Sequence, residues 1–372
     1  MNVLQLPWFE ENPYHHELGE ALERHDVSVQ FSTGYPKDIV RTVLEGGLPD
    51  VLHLHWISWF LISDNRLLSA CKAAVFVAGV FCAKLLGVRI VWTVHNVFEH
   101  ERRDPRLERF FKRHLVRYAF DDVIVHCEGA KRQLLAAYGL PDSVSSKLVT
   151  VPHGNYVDAY ENDLSSAEAT ERLGLPDDAT VIAFFGSIKP YKRVPALIDA
   201  FSELDDENAR LLVAGNPADD DARRSVVAAA RRDDRVETVL EFVPSAEVQV
   251  YMNAADVVVL PFEDILSSGS VLLAMSFGNP IVAPKEGCLP ELLADQRELL
   301  YDAADDRGLE RALERARSAD LAVLGRRNYE RALTYDWNAI AGRTRRIYAA
   351  RRPSIPRTTE NRSLREELSR ND

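Results

Sequence analysis

Five short stretches, each lying just after a run of apolar residues, bring together groups that can bind anions or move protons. Gly186-Ser187-Ile188-Lys189-Pro190-Tyr191-Lys192-Arg193 sets three cations directly before a helix. Cations are disfavoured at a helix start, so an anion bound there resolves the conflict; a solvated basic turn is the plainer alternative. Ser267-Ser268-Gly269-Ser270 precedes an apolar helix. Gly269 lets the backbone approach a ligand, the serines can donate, and a helix start presents unpaired N–H groups. The same turn also reads as a simple N-cap. His95-Asn96-Val97-Phe98-Glu99-His100-Glu101 is dense in titratable groups. His95 can hydrogen-bond a substrate hydroxyl, and Glu99 or Glu101 can act as a base, or the run caps the next helix. Pro152-His153-Gly154-Asn155, and the aromatic loop 7–15 with Asn12 and Tyr14, are further strand-end candidates that also read as tight turns. His95, His100 and Glu101 lack the helical His-x-x-x-His spacing of a zinc site, so no metal is expected.

The elements that position these stretches follow from apolar periodicity. Strands are expected at 2–6, 27–31, 51–56, 88–94, 123–126 and 147–151, alternating with helices at 15–25, 67–86, 106–120 and 131–138. The helix at 106–120 places Leu107, Phe110, Phe111, Leu115 and Tyr118 on one face. A second series has strands at 181–185, 210–214, 236–242, 257–260 and 281–283. Its helices are expected at 194–202, 220–232, 247–253, 271–277, 290–293, 307–318, 325–333 and 338–350. Strands and helices alternating at this spacing predict an α/β chain of two doubly wound, Rossmann-like domains facing across a cleft. The boundaries read as 1–156 for the N-terminal domain, 157–178 for a polar linker, 179–350 for the C-terminal domain and 351–372 for a flexible polar tail. Ligands of such sheets bind at the carboxyl ends of the strands, where the five stretches lie.

Composition narrows the class. The 372 residues exceed one ordinary core, and 46% hydrophobic residues supply two. A net charge of −12 argues against nucleic acid as a partner. The four cysteines have no metal spacing and form no short framework, which fits a reducing cytoplasm. Met1 leads within two residues into a strand, so no signal peptide is expected. The apolar segment 67–86 is near the length of a membrane span. Because it carries Lys72 and Lys84 and a strand follows Gly87, it reads as a buried or interfacial helix. Arginines and lysines interleaved with aromatics over 102–118 suggest peripheral contact with an anionic membrane.

The five stretches, in order, resemble glycosyltransferase family 4, nucleotide-sugar enzymes of the GT-B fold, over about residues 2–350. FFGSIKPYKRVPALIDAF is similar to the family's donor loop, LLVAGNP to its following strand and glycine turn at Gly215, and SSGSVLLAMSFGNPIVAPKEG to its signature segment. TVHN and VPHGNY match its N-terminal histidine loop and interdomain turn. The resemblance implies a retaining hexosyl transfer from a nucleoside diphosphate sugar, without metal or other cofactor. The acceptor would be a glycan or lipid-linked molecule of cell-surface polysaccharide or glycoprotein glycan assembly. The enzyme would be cytoplasmic, with peripheral contact at the inner face of the cell membrane.

The resemblance also implies roles. Lys192 would hold the diphosphate and His95 the donor sugar. Gly186, Ser187, Lys189, Arg193, Gly215, Ser268, Gly269 and Ser270 would complete the donor site. Asn12, Tyr14, Asn96, Glu99, Glu101, His153, Gly154 and Asn155 would line the cleft on the acceptor side. The chain departs from the family pattern at the donor-loop arginine, here Ser187, and at the paired glutamates, here Ile265 and Leu273. Glu263, Glu286 and Glu291 are the candidates to grip the ribose. A non-catalytic sugar-nucleotide or glycan-binding relative is the alternative. A nicotinamide or flavin enzyme is disfavoured, because no strand is followed by Gly-x-Gly-x-x-Gly.

Overall fold

The structure is a computed structural model; it describes residues 1–350 except 11, 35–38, 40, 42–44, 46, 64 and 101–103. The tail at 351–372, Glu101, Arg102 and Arg103 therefore lie outside the described residues. Among the described residues, twelve strands form two parallel sheets. In the first, β1 (Asn2–Leu6), β2 (Ser28–Phe31), β3 (Val51–Leu54), β4 (Arg89–Thr93), β5 (Asp122–Val125) and β6 (Leu148–Thr150) run in the order β2-β1-β3-β4-β5-β6. The second holds β7 (Thr180–Phe185), β8 (Ala209–Ala214), β9 (Val236–Val239), β10 (Val257–Val259), β11 (Ile281–Pro284) and β12 (Leu300–Tyr301), in the order β12-β11-β10-β7-β8-β9. Helices cover both faces of such sheets, which is why central strands such as Val257-Val258-Val259 are apolar without alternation. The strand order reverses between β1 and β3 and again between β7 and β10. Those reversals open the crevices where ligands bind.

Several expectations are corrected. The polar linker read at 157–178 had no helix assigned to it, yet it contains Ser166–Leu173, started by a Ser165–Glu168 capping box and ended by Gly174 in the left-handed region. β12 is only two residues long and carries too little periodicity to be read. The last helix, Trp337–Ala349, follows the second domain in sequence but bonds to the first. The Tyr348 hydroxyl lies 2.6 Å from His53 Nδ1, His25 Nε2 lies 2.9 Å from the Asn338 carbonyl, and Arg89 donates to the Ala350 carbonyl at 2.6 Å.

The basic helix differs most from expectation. It runs Pro105–His114 and then widens into a π turn, Leu115–Ala119. The expected apolar face does not hold together, since Phe110 and Tyr118 are each 55% exposed. The side chains buried from Pro105–His114 are Glu108 and Lys112, paired at 2.6 Å. Burying both charges is tolerable because every neighbour bonds to them. Ser58 donates to Glu108 at 2.6 Å, the Glu99 amide donates to both its oxygens, and Lys112 donates to the Val97 carbonyl at 2.8 Å. In sequence an i, i+4 Glu–Lys pair looks like an ordinary solvated helix face.

The long apolar helix, Arg66–Leu85, is long and apolar enough to cross a membrane. It connects β3 to β4, which are hydrogen-bonded parallel neighbours, so it is the crossover of a β-α-β unit. Only Ser69, Ala73 and Val80 of it are buried, while Leu67 is 74% and Leu85 88% exposed. Of the two alternatives read from its sequence, the buried one does not hold.

The two domains are also joined covalently. Cys127, just after β5, is disulfide-bonded to Cys288, just after β11, across 161 residues of chain. Beside this bond Glu291 accepts from the amides of Glu128 and Gly129 at 3.2 and 2.6 Å, so a carboxylate of one domain caps the Glu128–Tyr138 helix of the other. The cysteine spacing had shown no short framework and had read as fitting a reducing cytoplasm, with no disulfide expected; the partner lies too far away in sequence to be read.

Candidate active site

Between the sheets lies a cleft of about 760 Å³ walled by both domains. The second domain supplies its anion-binding side. After β7 the chain turns at Gly186, whose φ of +121° suits glycine, and the short 3-10 turn Pro190–Lys192 brings Lys192 into the cleft wall. Gly215, after β8, has a φ of +146°, and a Cβ there would lie 2.0 Å from the Gly186 carbonyl oxygen. Gly215 thus lets the Gly186 turn close rather than touching a ligand. A Cβ on Gly186 would in turn sit 3.4 Å from Lys192 Nζ and 3.5 Å from Ser270 Oγ, so these two groups converge on one point.

Ser268 caps the Gly269–Ser276 helix, its hydroxyl accepting from the Val271 amide at 3.3 Å. That leaves the first amides of the helix, those of Gly269 and Ser270, with no acceptor among the described residues. Lys192 is buried, packed near the rings of Phe184 and Phe262, and no described carboxylate pairs with it. Burial, and secondarily the charge of Lys189, lowers its pKa to about 8. A desolvated ammonium facing free helix amides is a site for an anion.

The pH dependence follows. Lys192 keeps its proton below about pH 8 and loses it above, so binding of an anion takes up protons there. Affinity for inorganic diphosphate is expected to fall as pH rises through 8, and Lys192→Arg, which stays charged, is expected to flatten the profile. Calorimetry across that range checks both.

The first domain supplies hydrogen-bonding and aromatic groups. His95 follows β4, and its Nε2 lies 3.1 Å from His55 Nδ1 while its ring stacks on Trp56 at 3.9 Å. Burial, then the neighbouring His126 and His153, holds its pKa well below the ordinary histidine range. His95 is therefore a neutral imidazole at neutral pH, suited to a hydroxyl rather than to an anion. Across the cleft Ser267 donates to the His95 carbonyl at 3.2 Å, and His100 stacks on Tyr191 at 3.7 Å.

Of the expected residues, Asn12, Tyr14, His95, Asn96, Glu99, His153, Lys189, Lys192, Ser268, Gly269 and Ser270 come together in the cleft wall. Others do not. Ser187 and Arg193 are exposed outside it, and Gly186 and Gly215 stand behind it. Gly154 is required by packing, because a Cβ there would lie 2.1 Å from the Trp337 ring. Asn155 is buried and bonded to the Ala332 and Tyr335 carbonyls, its own carbonyl accepting from the Trp337 indole at 2.6 Å. These two residues hold the point where the chain crosses back, not the ligand. Glu291 is engaged as the helix cap. Glu263 is exposed, and Glu286 reaches the Ile265 amide at 3.4 Å. Sequence reasoning missed Trp56, Trp59 and Tyr156 in the wall. Trp56 had a signal: it stands two residues past the end of β3, the same strand-end position that flagged the others.

Comparison with known proteins bears on both halves. Residues 14–158 match the family described as Glycosyltransferase Family 4, and residues 179–318 match Glycosyl transferases group 1. A GDP-mannose:glycolipid 4-beta-D-mannosyltransferase of Xanthomonas campestris pv. campestris is 29% identical over 63% of this chain and 61% of its own length. This chain therefore matches about three fifths of that relative. A D-inositol 3-phosphate glycosyltransferase of Streptosporangium roseum is 25% identical over 89% of this chain and 76% of its own. Anabaena HepE, solved with UDP and glucose, superposes with a TM-score of 0.71 at 16% identity, covering 94% of this chain and 99% of that one. WaaG, a glycosyltransferase involved in lipopolysaccharide biosynthesis, superposes with a TM-score of 0.66 at 15% identity, covering 94% and 100%. Each half of the chain thus matches a glycosyltransferase family model, and the two-domain fold, shared along nearly its whole length, is the GT-B fold of such enzymes.

Proposed function

We propose that the protein transfers a hexosyl group from a nucleoside diphosphate sugar to a glycan or lipid-linked acceptor in the assembly of a cell-surface or glycoprotein glycan. One observation carries this: a buried lysine without a described carboxylate partner converges with the Ser270 hydroxyl at the open start of the Gly269–Ser276 helix, in a cleft that the neutral His95 also lines. In the reaction the acceptor hydroxyl oxygen bonds to the anomeric carbon as the bond to the diphosphate breaks; the electron pair leaves with the diphosphate, whose departing oxygen takes up the acceptor's proton. Lys192 and the Gly269 and Ser270 amides meet that developing charge, so the proposal needs no metal. His95 meets a sugar hydroxyl. Glu286, beside the residue at the first missing glutamate position, is assigned the ribose. Retention of anomeric configuration belongs to the same proposal and rests on the likeness of the donor loop. An NMR assignment of the product anomer decides it, and the mannosyl relative's β-linked product makes that measurement worth doing first.

The deciding experiment incubates purified protein with a panel of nucleoside diphosphate sugars, with and without EDTA, and follows nucleoside diphosphate release. Release from one donor, undiminished by EDTA, is expected. Donor binding without release or transfer would favour the non-catalytic alternative, whose support is the absence of acidic residues at Ile265 and Leu273. Gly269→Val is expected to lose donor affinity. Its backbone is not left-handed, but a Cβ would already lie 3.3 Å from the Tyr156 hydroxyl, and a branched side chain would intrude on the cleft. Unchanged affinity by calorimetry would move the phosphate site elsewhere.

A cytoplasmic enzyme touching an anionic membrane surface completes the proposal. Arg106 and Arg109 are exposed beside Phe110, and Arg106 and Phe110 share a surface hollow with Arg66 and Ala70 of the apolar helix. Apolar and basic groups are thus contiguous, the pattern of an interfacial surface. Salt-sensitive co-sedimentation with anionic but not neutral vesicles is expected; equal binding to both would remove the electrostatic part.

A further inference from the structure

A second cavity of about 760 Å³ lies under the Arg66–Leu85 helix. Its floor is the sheet, with Leu4, Leu52 and Leu54, and its roof is the helix, with Phe76, Val80 and Ala83. Among its described lining residues Lys72 alone is charged. Trp59 and Lys72 line both this cavity and the active-site cleft, so the two meet at those side chains. Lys72 lies 5.8 Å from the Trp59 ring and 3.4 Å from the Ile62 carbonyl, with no described carboxylate paired to it. Gly79 widens the roof: apart from its chain neighbours and the helix's own backbone, no described heavy atom lies within 4 Å of where its Cβ would be. A cavity this size matches small-molecule sites, and an open apolar surface of this kind is costly in water unless something covers it.

We propose that this groove takes the hydrocarbon chain of a lipid phosphate, with Lys72 on the phosphate, so that the polar head projects into the cleft. The proposal rests on the lipid-linked branch of the acceptor reading and gives it a place. Concavity, a lone cation at the mouth and continuity with the cleft favour a lipid over a second copy of the chain. The phosphate meets Lys72 at the border of the two cavities, and the chain runs under the helix away from Lys192. The exposed outer face of the same helix, with Leu67 and Leu85, lies where a chain would leave a lipid surface.

The test uses the full chain and needs no turnover. Dodecyl phosphate, kept below its micelle concentration, is expected to bind at least about tenfold tighter than butyl phosphate, since each added methylene is buried. Gly79→Phe, which fills the groove, is expected to erase that preference, and Lys72→Gln to weaken dodecyl phosphate but not dodecanol. Cys71 and Cys82 are both free and exposed, but only Cys71 lines the groove. Dodecyl phosphate should therefore protect Cys71, and not Cys82, from N-ethylmaleimide, a readout that survives if the glycine variant fails to fold. Equal affinity for both alkyl phosphates, or equal protection of both cysteines, overturns the groove. So does self-association that shields Cys71 without lipid. If the parent transfers sugar to a lipid-linked acceptor and Gly79→Phe does so equally well, the groove falls and the acceptor reading stands. If chain-selective binding occurs without any transfer, the groove stands and that reading falls.

Discussion

Lys192→Ala is expected to slow sugar transfer at saturating donor by on the order of a hundredfold or more, the loss typical of removing one preorganised group from a developing negative charge. The variant should nevertheless unfold no more readily than the parent. Lys192 is buried and its pKa is held down to about 8, first by burial. A lysine whose folded pKa lies below its unfolded value destabilises the fold, fully below the folded pKa and no longer once pH passes the unfolded one. At neutral pH the native state thus carries this lysine at a cost, and alanine removes it. Chemical denaturation at pH 7 alongside the transfer assay separates the two effects. Activity within about threefold of the parent would remove Lys192 from the transition state.

Lys112→Met is expected to cost about 3–5 kcal/mol of stability, because it leaves Glu108 charged, buried and without its partner. The double variant Glu108→Leu, Lys112→Met should recover much of that loss, since an apolar pair of similar volume avoids desolvating either charge. Urea midpoints of the three proteins test this, and a single-variant loss under about 1 kcal/mol would show the pair to be no more than a surface contact. The variant should also weaken substrate binding. Glu108 holds the Glu99 amide and Lys112 the Val97 carbonyl, and both belong to the loop that carries His95 and Asn96.

What the sequence revealed and what it hid divide along physical lines. Both sheets were legible because parallel strands covered on two faces are apolar runs, and the chemistry was legible because it sits where those runs stop. The lysine, the serine turn and the histidine loop were found that way and do share one cleft. Gly154 and Asn155 were misassigned because a glycine at a strand end looks alike whether it admits a ligand or a tryptophan, here Trp337. The Glu108–Lys112 pair was hidden because burial reverses the meaning of charge without changing the residues. Tyr191 against His100, the Cys127–Cys288 bond and the return of the last helix were hidden because each joins positions remote in sequence. No periodicity reports such contacts.

The Cys127–Cys288 bond has a mechanical meaning. The domains are already joined where the chain crosses out at Asn155 and back at Trp337, two crossings hydrogen-bonded to each other and so acting as one pivot. One pivot allows a domain to swing, twist and roll. A second fixed point leaves a single freedom, rotation about the line through the two, as for a door hung at top and bottom. With the bond formed, any opening of the cleft is confined to movements that leave both points in place. With the cysteines reduced, as in a reducing compartment, Glu291 on the Glu128 and Gly129 amides, Ser267 on the His95 carbonyl and His100 against Tyr191 are the remaining catches. Reduction then leaves the paired crossings and these weaker contacts to restrain the domains.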